Sequence, residues 1–68
     1  MRAITLNGQP RPLADHPTTV ADLIRDLGLQ GKRIAVEMNG EIVPRSRHAQ
    51  TEVAPGDRLE IVAAVGGG

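Results

Sequence analysis

Residues 58–68 read RLEIVAAVGGG, the most apolar run of the chain followed by three glycines. Leu59 and Ile61 alternate with Glu60 and Val62, and this period of two residues is typical of a β-strand. A long apolar strand fits best between two neighbours, so we expect residues 58–65 to form the central strand of a sheet. The rest of the chain must then supply the flanking strands and a layer that covers one face of the sheet.

Two Asn-Gly pairs, at residues 7–8 and 39–40, predict the flanking strands. Asn and Gly both tolerate the positive φ of a two-residue hairpin turn, and alternating residues flank each pair. Two hairpins are therefore expected, with strands over residues 1–6, 9–13, 33–39 and 41–43. Pro10 and Pro12 remove two N–H groups from the same side of the second strand, which places that strand at an edge of the sheet.

The covering layer is predicted to be a helix that begins after Thr19. Thr19 is a suitable N-cap, and Asp22 three residues later imitates a capping box and suits the positive end of the helix. Gly28 suits the position just after the helix ends. Apolar residues recur with helical spacing on one face, at Val20, Leu23, Ile24 and Leu27.

The predicted order of elements is therefore β-β-α-β-β-β, with a polar loop and a turn of helix over residues 45–52. One helix can cover only one face of the sheet. The predicted fold is thus α+β, with a mixed sheet of four to five strands and one helix packed across one face. We expect a single domain over residues 1–65 and a flexible glycine tail over residues 66–68.

The composition of the chain excludes several classes of protein. Its 68 residues include no Cys, Phe, Tyr or Trp, and eight basic residues balance eight acidic ones. Nucleic-acid binding normally shows a basic excess or aromatic stacking, and disulfides need Cys, so neither is expected. The longest apolar run is too short to span a bilayer and no signal-peptide core follows Met1, so we expect a cytoplasmic chain without membrane contact.

No catalytic or metal-binding cluster is expected either. The carboxylates are scattered, and no pair has a spacing that suggests acid–base catalysis. The only histidines, His16 and His48, are interpreted as solvent-facing loop residues rather than metal ligands. Arg45, Arg47 and His48 form a small basic patch that we interpret as a solvated loop.

The three terminal glycines are the sharpest functional feature of the sequence. Three such residues arise by chance in roughly 0.03% of chains, although a frayed end or a cloning remnant also produces them. A glycine stalk has no Cβ, so it can enter a narrow channel and leave its terminal carbonyl open to attack. The functional interpretation is therefore a main-chain carboxylate that is offered to a partner protein, and a frayed end or a cloning remnant stays open as the alternative.

A second functional feature is expected on the sheet face opposite the helix. Small apolar residues on that face have little reason to be exposed unless a partner covers them. We predict a partner-binding surface made of Ala35, Val62 and Ala64 on this face, together with Val65 at the end of the last strand.

Three segments of the chain resemble the sulfur carrier proteins of thiamine biosynthesis, the ThiS family of the ubiquitin-like β-grasp superfamily. Residues 35–45 are similar to that family's AV-x-x-N-x-x-IVPR segment, and residues 19–24 to its TV-x-x-LL helix start. Residues 56–61 are similar to its GD-x-(I/L)-x-(I/L) entry to the last strand. The resemblance covers the whole chain and implies a β-grasp fold. The chain departs from the family pattern in its third terminal glycine and in having no aromatic residue near His48.

The resemblance implies a protein carrier rather than an enzyme. In that family an E1-like adenylating enzyme uses ATP and Mg²⁺ to activate the terminal glycine carboxylate, which is converted to a thiocarboxylate with sulfur from a sulfur-donating enzyme. Thiazole synthase then takes the sulfur. Carried onto this sequence, Gly68 bears the sulfur, and Gly66 and Gly67 form the stalk. We expect no cofactor to be bound by the chain itself, and we expect the free chain to be a monomer.

Three alternatives stay open on the sequence. The small subunit of molybdopterin synthase shares the fold and the tail chemistry, but its members tend to be longer and richer in aromatic residues. A protein-tagging modifier is also compatible, although Lys32 is the single lysine on which the chain could build polymers of itself. The third alternative is a β-grasp interaction module without covalent chemistry.

Overall fold

The computed structural model describes residues 2–63 of the chain. The strands in that range are β1 Ala3–Leu6, β2 Gln9–Pro12, β3 Thr18–Thr19, β4 Ile34–Met38, β5 Glu41–Ile42, β6 Glu52–Val53 and β7 Arg58–Ala63. The helix α1 spans Val20–Asp26, and a 3₁₀ helix spans Arg45–Arg47. The predicted strand residues Met1, Ala64 and Val65 and the predicted tail Gly66, Gly67 and Gly68 lie outside the described residues.

Five of the strands form one sheet in the order β2-β1-β7-β4-β5. β7 pairs with β1 in parallel and with β4 in antiparallel fashion, so the sheet is mixed. Its central position confirms the prediction made from its apolar sequence. The proline-bearing β2 lies at an edge and pairs only with β1, as the missing N–H groups of Pro10 and Pro12 require.

Both predicted hairpin turns are confirmed. Asn7 and Asn39 have φ values of 51° and 52°, and the glycines that follow them have φ values of 82° and 86°. Two consecutive residues with positive φ are the geometry of a type I′ turn, whose twist matches that of the flanking strands.

The helix begins and ends as its capping residues predict. The amide N–H of Asp22 donates to Thr19 Oγ1 at 3.1 Å, and the Asp22 carboxylate accepts from the N–H of Thr19 at 3.0 Å. Gly28 follows the C-cap with a φ of 73°. Its N–H and that of Leu29 donate to carbonyls of the last turn, each at 3.0 Å, which closes a Schellman motif.

The core lies between α1 and one face of the sheet. The predicted apolar stripe of the helix packs against alternate residues of β1, β7 and β4. The helical period of 3.6 residues and the strand period of two residues each place these apolar side chains on one face of their element. Leu59 and Val36 are among the least accessible side chains of the described range. The buried aliphatic residues are Ile4, Val20, Leu23, Ile24, Val36, Val53, Leu59 and Ile61.

Residues 45–52, predicted as a polar loop with a turn of helix, also contain the start of a strand. The predicted helical turn is present as the 3₁₀ helix, but β6 then pairs with β3 in a separate two-stranded sheet. The carbonyls of His48 and Thr51 accept the N–H groups of Ala21 and Val20, each at 2.9 Å. These N–H groups have no partner within the helix. The segment therefore docks on the start of α1 instead of lying free in solvent.

The prediction that His48 faces solvent is wrong. His48 is buried, and its Nε2 donates to the carbonyl oxygen of Val43 at 3.0 Å. Docking of residues 48–51 on the helix carries the imidazole inward, and the hydrogen bond to Val43 satisfies one ring nitrogen there. His16 is exposed, as predicted. The basic patch is thus reduced to the exposed Arg45 and Arg47.

Candidate functional site

The outer face of the sheet, on the side away from α1, carries an exposed apolar surface. Ala35 of β4 lies directly opposite Val62 of β7, and both side chains are exposed. Val62 is 56% exposed and Ile42, on the neighbouring edge strand, is 66% exposed. These two are the exposed large hydrophobic residues of the described range. The structure therefore brings together the predicted pair Ala35 and Val62 and adds Ile42, whereas Ala64 and Val65 lie outside the described residues.

Two carboxylates interrupt this apolar surface. Glu37 lies directly opposite Glu60 on the outer face, and Ile42 lies opposite Glu37 on its other side. Among residues 2–63 neither carboxylate forms an ion pair or a hydrogen bond. Like charges that face each other across two strands destabilise a sheet. The outer face therefore combines apolar side chains with two facing carboxylates that form no ion pair within the described range.

β7 runs beyond the end of β1, and the side chain of Asn7 takes the place of the missing strand residue. Asn7 Oδ1 accepts the N–H of Ile61 at 2.8 Å, and Asn7 Nδ2 donates to the carbonyl oxygen of the same residue at 3.1 Å. The main-chain N–H of Asn7 also donates to the carbonyl oxygen of Leu59 at 2.9 Å. One side chain thus holds the central strand where its β1 neighbour has already turned away.

The second turn asparagine is tied to the start of β7. Asn39 Oδ1 accepts the N–H of Arg58 at 3.0 Å, and Asn39 Nδ2 donates to Asp57 Oδ1 at 3.1 Å. The other carboxylate oxygen of Asp57 accepts the N–H of Ala54 at 2.8 Å. These hydrogen bonds therefore tie the Asn39-Gly40 turn to the Gly56-Asp57 turn at the point where β7 begins.

The described chain ends at Ala63, which lies opposite Ile34 at the start of β4. The tail residues that follow are attached to the central strand of the sheet, at the end next to the beginning of β4. The predicted site residues Gly66, Gly67 and Gly68 lie outside the described residues, so their role rests on the sequence.

Sequence reasoning missed the roles of Asn7, Glu37 and Glu60. The Asn-Gly signal already explains Asn7 as a turn residue, so nothing in the sequence indicates that its amide also pairs with a strand 54 positions away. The facing of Glu37 and Glu60 depends on the register between β4 and β7, which the alternating pattern alone does not fix to within two residues.

Residues 2–63 contain no cluster of three or more His, Asp or Glu side chains that would hold a metal ion. Within the same range there is also no helix with the length and apolar character needed to cross a membrane.

Comparisons with a protein family, with individual sequences and with solved structures match nearly the whole chain to the same kind of protein. The ThiS family matches residues 4–68. The sulfur carrier protein ThiS of Bacillus subtilis is 35% identical over 65 residues, which cover 96% of this chain and 98% of that protein. A crystal structure of a thiamine biosynthesis protein (ThiS) from Geobacter metallireducens superposes with a TM-score of 0.83 at 32% identity, covering 97% of this chain and 99% of that one.

A further relative is much longer than this chain. It is a thiazole synthase of Paramagnetospirillum magneticum, 46% identical over 65 residues. The match covers 96% of this chain but only 20% of that protein. A segment similar to almost all of this chain is therefore part of a longer polypeptide there.

Proposed function

The chain belongs to the ThiS family, and on that premise we propose that it is a sulfur carrier protein of thiamine biosynthesis. The observation that carries the proposal is the agreement of the family match over residues 4–68 with a structural match over 97% of the chain. The chain is a carrier in this proposal and not an enzyme, since its contribution is a reactive chain end held on a small fold.

The proposed reacting group is the main-chain carboxylate of Gly68. An α-carboxyl group has a pKa of about 3.5, so at neutral pH it is an anion and a poor electrophile. One carboxylate oxygen attacks the α-phosphorus of ATP and pyrophosphate leaves, which gives a mixed anhydride with AMP. The terminal sulfur of a persulfide on a donor enzyme then attacks the carbonyl carbon and AMP leaves, which gives an acyl disulfide. A second thiol of the donor attacks the donor's own sulfur, so that the S–S bond breaks, a disulfide forms on the donor and the thiocarboxylate is released.

The chain itself supplies no phosphate-binding group for these steps. We propose that an E1-like adenylating enzyme binds the ATP and the Mg²⁺ that offsets the phosphate charge. Gly66 and Gly67 form the stalk that brings Gly68 to that site. Residues 64–68 span at most about 17 Å, which is enough to reach a recessed site in a partner.

We propose that partners dock on the outer sheet face around Ala35, Val62 and Ile42. The exposure of these apolar side chains and the facing carboxylates of Glu37 and Glu60 support a partner surface that combines apolar and basic side chains. The match within a longer thiazole synthase supports that class of enzyme as one partner, because joining two proteins in one polypeptide keeps them together.

The function is tested by the intact mass of the purified chain after incubation with an E1-like adenylating enzyme, MgATP and a sulfur donor. We expect the mass gain of one sulfur atom replacing one oxygen atom, and the gain should depend on ATP. A variant that ends at Gly66 serves as control and should stay unmodified. Addition of thiazole synthase and its other substrates should return the carrier to its original mass. An unchanged mass in the complete mixture contradicts the proposal.

A further inference from the structure

A groove of about 370 Å³ lies beside α1, on the opposite side of the molecule from the outer sheet face. The loop of residues 29–33 and the 3₁₀ helix form its walls. Its floor is aliphatic and consists of Ala21, Ile24, Leu29 and Ile34. This volume is at the small end of the range of about 300–1,000 Å³ that ligand sites occupy, so the groove has room for an aliphatic side chain and adjacent backbone.

The rim of the groove is basic. Lys32, Arg33 and Arg45 line it and are exposed, and no acidic residue lines it within the described range. The whole chain has no net charge, so three of its eight basic residues at one groove make a local excess. Such an excess attracts anionic groups and orients them on approach.

His48 adds a hydrogen-bonding group to the groove. His48 lines the groove. Its Nε2 donates to the carbonyl oxygen of Val43, and in a neutral imidazole the other ring nitrogen, Nδ1, is then an acceptor. Nδ1 forms no hydrogen bond among residues 2–63, and that range contains no buried side-chain nitrogen or oxygen without a partner. Nδ1 therefore keeps some solvent exposure, and His48 is one of the residues that line the groove. A partly exposed acceptor beside a basic groove suits a ligand that carries an N–H group as well as negative charge.

We propose that this groove binds an acidic peptide segment of a partner protein, with one aliphatic side chain in the floor. Its carboxylates face Lys32, Arg33 and Arg45, and a main-chain N–H faces Nδ1 of His48. A nucleotide fits less well, because the floor is aliphatic and the chain has no aromatic residue on which a base would stack.

The position of the groove says which partner would reach it. Ile34, in the floor, lies opposite Ala63, the last described residue of β7. A protein that takes hold of the tail therefore has the groove within its reach. This assignment of the partner rests on the proposed function, whereas the binding of an acidic segment does not.

The test is an NMR titration of the ¹⁵N-labelled chain with an acetylated and amidated Glu-Glu-Leu-Glu-Glu peptide at low salt. We expect the amide signals of residues 29–34 and 45–49 to shift in a saturable way. A Gln-Gln-Leu-Gln-Gln peptide removes the charge, and a Glu-Glu-Ser-Glu-Glu peptide removes the aliphatic side chain. Both should bind more weakly, and AMP should bind more weakly than the first peptide.

Arg45 and Arg47 offer a matched pair of variants. Both are exposed and belong to the same 3₁₀ helix, but Arg45 lines this groove and Arg47 lines a different one. Arg45→Gln should weaken binding of the acidic peptide about two- to fivefold, which is the range for one exposed ion pair. Arg47→Gln changes the net charge equally and should leave the affinity nearly unchanged.

Three results would overturn the proposal: shifts spread over the whole surface, equal losses from the two arginine variants, or equal binding of the uncharged peptide. Tighter binding of AMP would replace the peptide by a small phosphate-bearing ligand. The titration contains neither ATP nor an adenylating enzyme, so its failure leaves the sulfur-carrier proposal intact. A failure of thiocarboxylate formation likewise leaves the titration result intact.

Discussion

At the scale of single residues, Asn7 serves both the hairpin turn and the sheet. Its positive φ forms the β1–β2 turn, while its amide pairs with the N–H and the carbonyl of Ile61. Without that amide, two polar groups of a buried residue in the central strand would lose their partners. Leaving such groups unpaired costs more than a typical hydrogen bond contributes.

Asn7→Gly is therefore predicted to destabilise the fold by about 1–3 kcal/mol, because glycine keeps the turn but removes both side-chain hydrogen bonds. The measurement is urea-induced unfolding at neutral pH. Asn39→Gly is the matched control, since Asn39 has almost the same φ and its side-chain hydrogen bonds are exposed. Asn39→Gly should cost less, and equal losses would contradict the role assigned to Asn7.

Asp22 is expected to make stability depend on pH. The pKa of Asp22 is held below its ordinary value of 3.8 mainly by a hydrogen bond from the backbone N–H of Thr19. A hydrogen bond with the side chain of Thr19 and the hydrogen bond and positive charge of Arg25 lower it further. The unfolded chain therefore binds this proton more readily than the folded chain does. The stabilisation is present above the unfolded pKa and is lost as the pH falls through the lowered folded pKa.

Asp22→Asn should accordingly flatten the acid limb of the stability curve. The measurement is the urea midpoint as a function of pH, from neutral pH to below the ordinary pKa of aspartate. Asp26→Asn is a suitable control, because it removes the same charge from the exposed side of the same helix. Parallel curves for the wild type and Asp22→Asn would show that the capping carboxylate does not carry the effect.

At the scale of elements, α1 was predictable because its start, apolar stripe and end are all encoded locally. The pairing of β3 with β6 was not, since each strand has only two residues and too few positions to show a period. The burial of His48 follows from that pairing and from the docking of residues 48–51 on the helix. Contacts between segments that are far apart in the sequence thus decide the conformation of the polar loop.

Leu23→Ala tests the packing of α1 on the sheet. Leu23 is 4% exposed and lies in the core, so the truncation should cost about 2–5 kcal/mol. A domain of this size has a total stability of only a few kcal/mol, so a large drop of the melting temperature is expected. Leu27→Ala, at the half-buried C-cap, is the comparison and should cost less. A Leu23→Ala variant that melts within a few degrees of the wild type would contradict the packing described.

The facing carboxylates of β4 and β7 lead to a prediction with opposite signs for folding and for binding. Glu60→Gln relieves the repulsion with Glu37 and should stabilise the free chain by about 0.2–1 kcal/mol. The same change should weaken binding to the adenylating enzyme, because it removes charge that a basic partner surface would meet. Thermal unfolding and calorimetric titration measure the two effects. If stability and affinity both rise, the pair does not face basic groups of the partner.

At the scale of the whole molecule, local signals were sufficient for the fold because they all agree. Two Asn-Gly turns, one capped helix and one long apolar strand agree on a single arrangement, in which the apolar stripe of the helix covers the inner face of the sheet. The proposed partner surface was only half predictable. Ala35 and Val62 follow from strand alternation, whereas Ile42 joins them only through the register of β5 on β4. The sequence marks which residues point outward, and the register decides which of them meet.

Val62→Asp tests that surface as a whole. Val62 is exposed on the central strand, so the fold should persist, but a charge in the middle of the apolar surface should weaken binding to the adenylating enzyme and to thiazole synthase about tenfold or more. Calorimetric titration measures the affinities, and circular dichroism checks the fold. Ser46→Asp adds the same charge in the exposed 3₁₀ helix and should leave both affinities nearly unchanged. In the proposed function one tail serves both enzymes, so we expect them to bind in turn at the same end of the molecule. A loss with only one of them would mean that the two use different faces of the carrier.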